Sequence, residues 1–175
     1  MYYGENIMNK KDKKELERLA DEQLELGKKS LLDHDYTQAE FYVKESLKNL
    51  KEAGCIEKYV KTLNILGIVY AIESDEGKAF DCYLESLANA EVMDCKYLKA
   101  MTYSNIGSCY QKMGRTGEAM KYYEDAKKEL ADPTVKEQES YEIWNMLNLI
   151  NIKGASEQKE SSSDVKIDKN SVILV

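Results

Sequence analysis

Proline is almost absent from this sequence, and so are the residues on which most enzyme sites depend. Of 175 residues, one is proline and one is histidine. Because proline breaks helix interiors, a chain with a single proline suits long, uninterrupted helices. The one histidine, His34, lies between two aspartates in a predicted turn, where no nucleophilic Ser or Cys has a reason to lie beside it. We therefore expect an all-helical protein that has no catalytic residues and is not an enzyme.

An excess of positive charge and long apolar stretches are lacking too. The 32 acidic and 25 basic residues give a formal net charge of -7, which disfavours a general surface for nucleic acids or anionic membranes. No run of about 18 apolar residues is present that could span a bilayer. Residues 1–9 lack the basic start and apolar centre of a signal peptide. We expect a cytoplasmic protein that binds neither nucleic acid nor membrane.

Cysteine pairs at metal-binding spacing are also missing. The four cysteines are Cys55, Cys82, Cys95 and Cys109, and no two of them have the C-x-x-C spacing typical of zinc sites and thiol redox motifs. We therefore expect free, reduced thiols, no metal and no cofactor.

What the sequence does contain is an internal repeat. The segment Lys61–Tyr70 aligns with Met101–Tyr110, 40 positions later, so that Thr, Gly and Tyr recur. The register continues in both directions, through Leu26-Gly27 and Ala39 before it and through Ala79, Tyr83, Ala119 and Tyr123 after it. Repeats of this length are typical of stacked supersecondary units.

The spacing within the repeat is helical. At about 100° per residue, Leu63, Leu66, Gly67 and Tyr70 share one face of a helix. A glycine inside a helix costs roughly 1 kcal/mol relative to alanine, so its recurrence indicates close approach of a second helix. We expect the small residue Ala79 or Ala119 to supply the facing surface, and each repeat to form a helical hairpin.

These residues resemble the tetratricopeptide repeat family, whose pattern is a bulky residue, Leu-Gly, Tyr, and then Ala, an aromatic and Ala. The second repeat meets it with Leu63, Leu66-Gly67, Tyr70, Ala79, Tyr83 and Ser86. The third meets it with Tyr103, Ile106-Gly107, Tyr110, Ala119, Tyr123 and Ala126. The units are longer than the common form of about 34 residues and lack its proline. The longer variety is similar to repeats of bacterial signalling and peptide-sensing regulators.

The predicted fold is all-α: a right-handed α-solenoid of three such hairpins plus a seventh, C-terminal helix. Asp12 with Glu15 can form a capping box at the first helix, and Asp94 can cap the fifth. In the repeat register the seventh helix places Ile143, Met146, Leu147 and Ile150 at packing positions. The predicted boundaries are a flexible arm at 1–11, a domain at 12–154 with repeats at about 16–54, 56–94 and 96–132 and a final helix at 134–153, and a flexible tail at 155–175 that ends in an apolar segment.

First helices of this family line a concave groove, so the resemblance implies that their unpacked face holds a partner. Hydroxyl and amide side chains dominate this face, and amides can both donate to and accept from an extended peptide. Asn64 lies centrally, while Lys28 and Lys61 favour an acidic segment or a free carboxylate. The predicted peptide-binding residues are Lys28, Lys61, Asn64, Ile68, Ser104, Ser108, Gln111, Tyr141, Trp144 and Asn148.

Two functions are compatible with this pattern. The first is a module that binds a partner's peptide segment in the groove, as a signalling adaptor or sensor. The alternative is a regulatory or assembly fragment that dimerises, or docks to an effector domain, through its C-terminal helix. That helix has no second helix to cover it. We therefore expect either the apolar end Val172–Val175 or a second chain to pack there.

Overall fold

The computed structural model describes residues 9–135, and within them it contains six α-helices and no β-strand. The helices are α1 (Lys10–Leu32), α2 (Tyr36–Ala53), α3 (Ile56–Ile72), α4 (Glu76–Val92), α5 (Lys96–Lys112) and α6 (Thr116–Leu130). Their number and order are those that the 40-residue register predicts. The all-α fold class, with consecutive helical hairpins of the tetratricopeptide type, is confirmed. Most of the predicted seventh helix and all of the predicted tail lie beyond position 135, outside the described residues.

The first helix begins earlier than predicted. The amides of Lys11 and Asp12 donate to Asn9 Oδ1 at 2.9 and 3.0 Å, so Asn9 is the N-cap, a position that asparagine strongly favours. The capping box of Asp12 and Glu15 is therefore wrong, and Glu15 instead pairs with Arg18. The predicted arm at 1–11 overlaps the helix by two residues.

Left-handed backbone marks the turns that end the helices. Gly54 stops α2 at φ 73°, and Gly114 has φ 75° between α5 and α6; glycine adopts this region without a Cβ clash. Asp94 takes the same region at φ 48° and does not cap α5, because the N-cap is Cys95, which makes no side-chain cap bond. The Asp94 carboxylate pairs with Lys96 instead.

The repeat glycines lie at close helix contacts, but the facing residue differs from the prediction. A Cβ built on Gly107 would lie 2.5 Å from Tyr123 Cε1, and one on Gly27 would lie 2.8 Å from Val43 Cγ2. Both neighbours lie 16 positions after the glycine, and neither is the predicted alanine. Ala119 is also buried, but the three atoms nearest the Cβ position of Gly107 all belong to Tyr123. A large side chain therefore closes over each glycine, which is why a Cβ has no room.

The contacts group the described residues into two compact units, divided between Cys82 and Tyr83 within α4. In the first unit α1 and α2 form a hairpin and α3 packs on α2, around fully buried Val43, Leu50 and Val60. In the second unit α5 and α6 form a hairpin around Leu98 and Ile106. None of the four cysteines, all within the described residues, forms a disulfide, and Cys82 and Cys109 are buried.

Candidate functional site

The predicted binding residues of the first unit are two lysines, an asparagine and an isoleucine. Lys28 Nζ lies 3.1 Å from a Glu25 carboxylate oxygen, and Lys61 Nζ lies 2.8 Å from one of Glu57. Both lysines are half-buried. Each therefore has a carboxylate beside it on its own helix, and the local charge is balanced where the sequence suggested an excess of positive charge.

Asn64 lies in the interior of the protein and not on an open face. Its relative exposure is 2%, and its Nδ2 donates to Val60 O at 3.0 Å within α3. The reason is that α3 is apolar on nearly every side, so that Ile65 and Val69 are buried as well as the predicted packing face. A helix that is apolar on most sides buries most of its surface. The predicted role of Asn64 in holding a peptide stays a prediction, although this residue offers little accessible surface, whereas Ile68 is half-buried.

Two predicted binding residues of the second unit, Ser104 and Ser108, differ in solvent exposure. Ser104 is fully buried, with 0% exposure, whereas Ser108 is exposed. Ser108 Oγ donates to Ser104 O at 3.1 Å, a local bond from a serine to the carbonyl of the preceding helical turn. Of the pair, only Ser108 is accessible to solvent.

Gln111 is oriented by a buried tyrosine of the neighbouring helix. The Tyr123 hydroxyl donates to Gln111 Oε1 at 2.9 Å, and it also lies 3.3 Å from Ser108 Oγ. Burial raises the pKa of Tyr123 to about 12, although its bond to Ser108 acts in the opposite direction. The hydroxyl is therefore neutral and a donor at ordinary pH. Because Oε1 accepts this bond, the Gln111 amide nitrogen keeps both N–H groups available within the described part of the chain.

In the sequence, Tyr123 is a position of the repeat pattern and is not among the predicted binding residues. The ring is indeed buried, at 2% exposure, but its hydroxyl reaches two of the predicted residues, Ser108 and Gln111. The sequence contains no signal for this contact, because only the structure shows that Tyr123 closes over Gly107, which immediately precedes Ser108. Three further predicted residues, Tyr141, Trp144 and Asn148, lie outside the described residues.

The described residues give little basis for a metal site, a catalytic histidine or a membrane-spanning helix. Between positions 9 and 135 no three His, Cys, Asp or Glu residues are grouped as metal ligands would be. His34 Nδ1 lies 3.1 Å from the Tyr36 hydroxyl in an exposed turn. Over the same range, no helix has both the length and the apolar character needed to cross a membrane.

The comparison with protein families agrees with the repeat register. Residues 59–128 match the family model described as tetratricopeptide repeat, which supports the predicted resemblance to that family. The match covers the second and third predicted repeats. Repeats of this family are non-enzymatic and mediate protein–protein interactions. Searches of curated proteins and of solved structures gave no match.

Proposed function

We propose that this protein is an interaction module that binds a segment of a partner protein at the first-helix face of its third repeat. Gln111 and Ser108 make the polar contacts there, and the module acts as a cytoplasmic signalling adaptor or sensor without catalytic activity. The match of residues 59–128 to an interaction-repeat family supports the general role. The polar cluster around Gln111 supports the position.

The orientation of the Gln111 side chain carries this proposal. Its carbonyl oxygen is engaged by Tyr123, whose hydroxyl is costly to leave unpaired in a buried position. The amide nitrogen then has two donors for a partner, and backbone carbonyls of an extended segment are suitable acceptors. Since Lys28 and Lys61 are matched by Glu25 and Glu57, we do not retain the preference for an acidic segment.

An array of short synthetic peptides of varied sequence, probed with the full chain, tests this function. Peptides that bind are then measured by fluorescence anisotropy against wild type and Gln111→Ala. Removing one partner of a desolvated hydrogen bond costs about 1–3 kcal/mol, or roughly 5- to 150-fold in affinity. Gln38→Ala, an exposed glutamine of α2, is the control and should bind like wild type.

The variant Tyr123→Phe distinguishes the effect of orienting the Gln111 side chain from the effect of its direct contact with the peptide. It keeps the buried ring that closes over Gly107 but removes the hydroxyl that holds Gln111. We expect it to weaken binding less than Gln111→Ala does. The double variant should be no weaker than Gln111→Ala alone, because both changes act through one amide. Additive losses would show that Tyr123 affects binding by another route.

The alternative function predicts a different set of results. If Gln111→Ala binds peptides as wild type does, the partner does not contact this face. If no peptide binds and the full chain is a dimer that becomes monomeric on deletion of residues 136–175, the regulatory or assembly function through the C-terminal helix is supported instead. Light scattering on both chains makes this distinction.

A further inference from the structure

In the second unit, the outer face of α4 carries a row of apolar side chains, Leu84, Ala88 and Val92. All three are exposed, and the relative exposures of Leu84 and Val92 are 62% and 89%. The opposite side of the same segment packs into the unit, where Tyr83 and Ala90 are buried. This apolar row is therefore surface and not core.

The apolar row is particular to this repeat. In the 40-residue register, the aligned residues are Lys44, Lys48 and Glu52 in the first repeat and Glu124, Lys128 and Asp132 in the third. All six are charged, so the other two repeats present charge to solvent where α4 presents leucine, alanine and valine. Single apolar residues on a surface are ordinary, but three at consecutive positions of one row form a continuous patch.

The spacing of the apolar row suits a second helix. The three residues are four positions apart, so each step turns by about 40° and the row runs for roughly 12 Å along α4. Rows of this spacing are the ridges that insert between the side-chain rows of another helix. Ala88 lies between the two larger residues, and a small side chain at the centre of the contact allows the two helix axes to approach closely.

The charge beside the apolar row is negative. Residues 83–92 contain two glutamates and no lysine or arginine. Seen along the helix, Glu85 lies about 90° to one side of the row and Glu91 about 90° to the other. Glu91 is 3.2 Å from the Lys99 ammonium, which Glu129 also approaches at 3.4 Å, so this group of three keeps a net negative charge.

This charge distinguishes between the helices that could pack here. A second copy of the same segment would bring only glutamates to both flanks, and like charges across a contact oppose association. A helix with basic residues beside its apolar face would instead place opposite charges against Glu85 and Glu91.

We infer that α4 binds an amphipathic helix of a partner protein that carries lysine or arginine on both sides of its apolar face. Leu84 and Val92 provide the apolar anchors, and Glu85 and Glu91 provide the ion pairs at the edges. The inference does not rest on the proposed function, which concerns Ser108 and Gln111 of a different helix, α5.

Three synthetic peptides test the inference by fluorescence anisotropy with the full chain. The first has about 18 residues, long enough to hold a helix when bound, with leucines on one helical face and lysines elsewhere. The second has glutamate in place of every lysine. The third has the composition of the first, but leucine and lysine alternate, which favours an extended form. The first should bind, and the other two should bind at least about tenfold more weakly, since the charge or the period is wrong.

Leu84→Lys with Val92→Glu removes the apolar row without changing the net charge. These changes copy Lys44 and Glu52, which are exposed in the first repeat, so the urea midpoint should match wild type. The affinity for the first peptide should fall about tenfold or more, because the large apolar side chains are no longer there to be buried. Leu32→Lys with Phe41→Glu is the control, since it makes the same change in charge at two exposed apolar residues of the first unit. It should bind like wild type.

Glu85→Lys tests the charged edge of the contact. It should weaken binding of the first peptide by about threefold or more at low salt, and the loss should shrink as salt screens the ion pairs. Glu52→Lys, the same change at an exposed position of α2, is the control and should have little effect.

Each result either supports or overturns the inference. Selective binding of the first peptide that is lost in Leu84→Lys with Val92→Glu supports it. Equal binding by that variant, or no binding of any peptide, overturns it. A dimer by light scattering that becomes monomeric in that variant also overturns it, because a second copy then occupies the apolar row. If the charged variant folds poorly, Leu84→Gln with Val92→Thr replaces it, and unchanged binding there is equally decisive against the inference.

Discussion

Gly107 lies within α5 and Gly117 in the first turn of α6, and the two glycines have opposite surroundings. A Cβ on Gly107 would meet three ring atoms of Tyr123 at 2.5 to 3.0 Å, whereas one on Gly117 would meet nothing within 4 Å. The same substitution therefore tests packing at one position and backbone entropy at the other.

We predict that Gly107→Ala lowers the free energy of unfolding by about 1–3 kcal/mol, as expected when a tight contact is overpacked. Gly107→Leu should cost more. Gly117→Ala should instead raise stability by up to about 1 kcal/mol, because alanine is the better helix former and has room. Urea denaturation measures both. Equal effects at the two positions would show that the Tyr123 ring moves aside freely.

The glycines also show what a sequence reveals at this scale. Their recurrence predicts a close contact, because a mid-helix glycine needs a reason, and Gly27 and Gly107 confirm it. The identity of the facing residue was not available from the pattern. A facing alanine and a facing tyrosine ring both require glycine at this position, so the sequence pattern does not distinguish them.

At the scale of helices, Lys99 of α5 is a buried charge that pairs with carboxylates of α4 and α6. Its exposure is 5%, and its ammonium lies 3.2 Å from Glu91 and 3.4 Å from Glu129. Burial by itself lowers the pKa of Lys99, but the hydrogen bonds to these carboxylates outweigh it, so the net direction is upward. In the preceding repeat the same position is Tyr59, a buried aromatic.

We predict that Glu129→Gln destabilises the protein more than Lys99→Met does. Removing the Glu129 charge leaves the Lys99 ammonium buried with a weaker partner set, which costs about 1–3 kcal/mol. Lys99→Met removes the buried charge and fills the space with an apolar chain, and such replacements are often neutral or stabilising. The more exposed Glu129 and Glu91 carboxylates can then be hydrated. Thermal unfolding of both variants checks the order, and the reverse order would show that the ion pair itself stabilises the contact.

At the level of helices, the period predicted where elements begin and end more reliably than which faces are open. The predicted division between the first two repeats, at positions 54–56, falls between α2 and α3, since Gly54 and the hydrophobic spacing are local signals. The exposure of Asn64 did not follow from them. Whether the side of a helix opposite its packing face is exposed depends on what packs against that side. The pattern of a single repeat does not contain this information.

At the scale of the whole molecule, the sequence predicts the repeated fold strongly and the binding site weakly. The fold follows from a register that three segments share, so each repeat corroborates the others. The link from Tyr123 to Gln111 occurs in one repeat: in the others the aligned pairs are Val43 with Leu31 and Tyr83 with Ala71. A contact that occurs once has no period, and side-chain geometry was needed to find it.

Acid stability is a property of the whole molecule, since several carboxylates have lowered pKa values in both units. A hydrogen bond from Lys44 and a second from Tyr70 lower the pKa of Glu40. Bonds from Lys78 and Lys96 likewise lower the pKa values of Asp75 and Asp94. A folded-state pKa below the unfolded value means that the folded state binds fewer protons in that range. The stabilisation is therefore present above the unfolded pKa of about 4–4.5 and is lost as the pH falls below it.

Glu40→Gln isolates the part of this effect that holds α3 to α2. A neutral amide at position 40 cannot make the charge-assisted bonds to Lys44 and Tyr70, so we predict a lower thermal midpoint than wild type at pH 7. As the pH falls from the unfolded pKa of about 4.5 through the lowered folded pKa of Glu40, the wild-type carboxylate becomes protonated and loses the same bonds, so the two midpoints should converge as the pH falls towards 3. Glu52→Gln, at an exposed position of the same helix, should follow wild type at every pH. A constant gap between Glu40→Gln and wild type from pH 7 to pH 3 would show that the Glu40 side chain stabilises α3 through its shape and not through its charge.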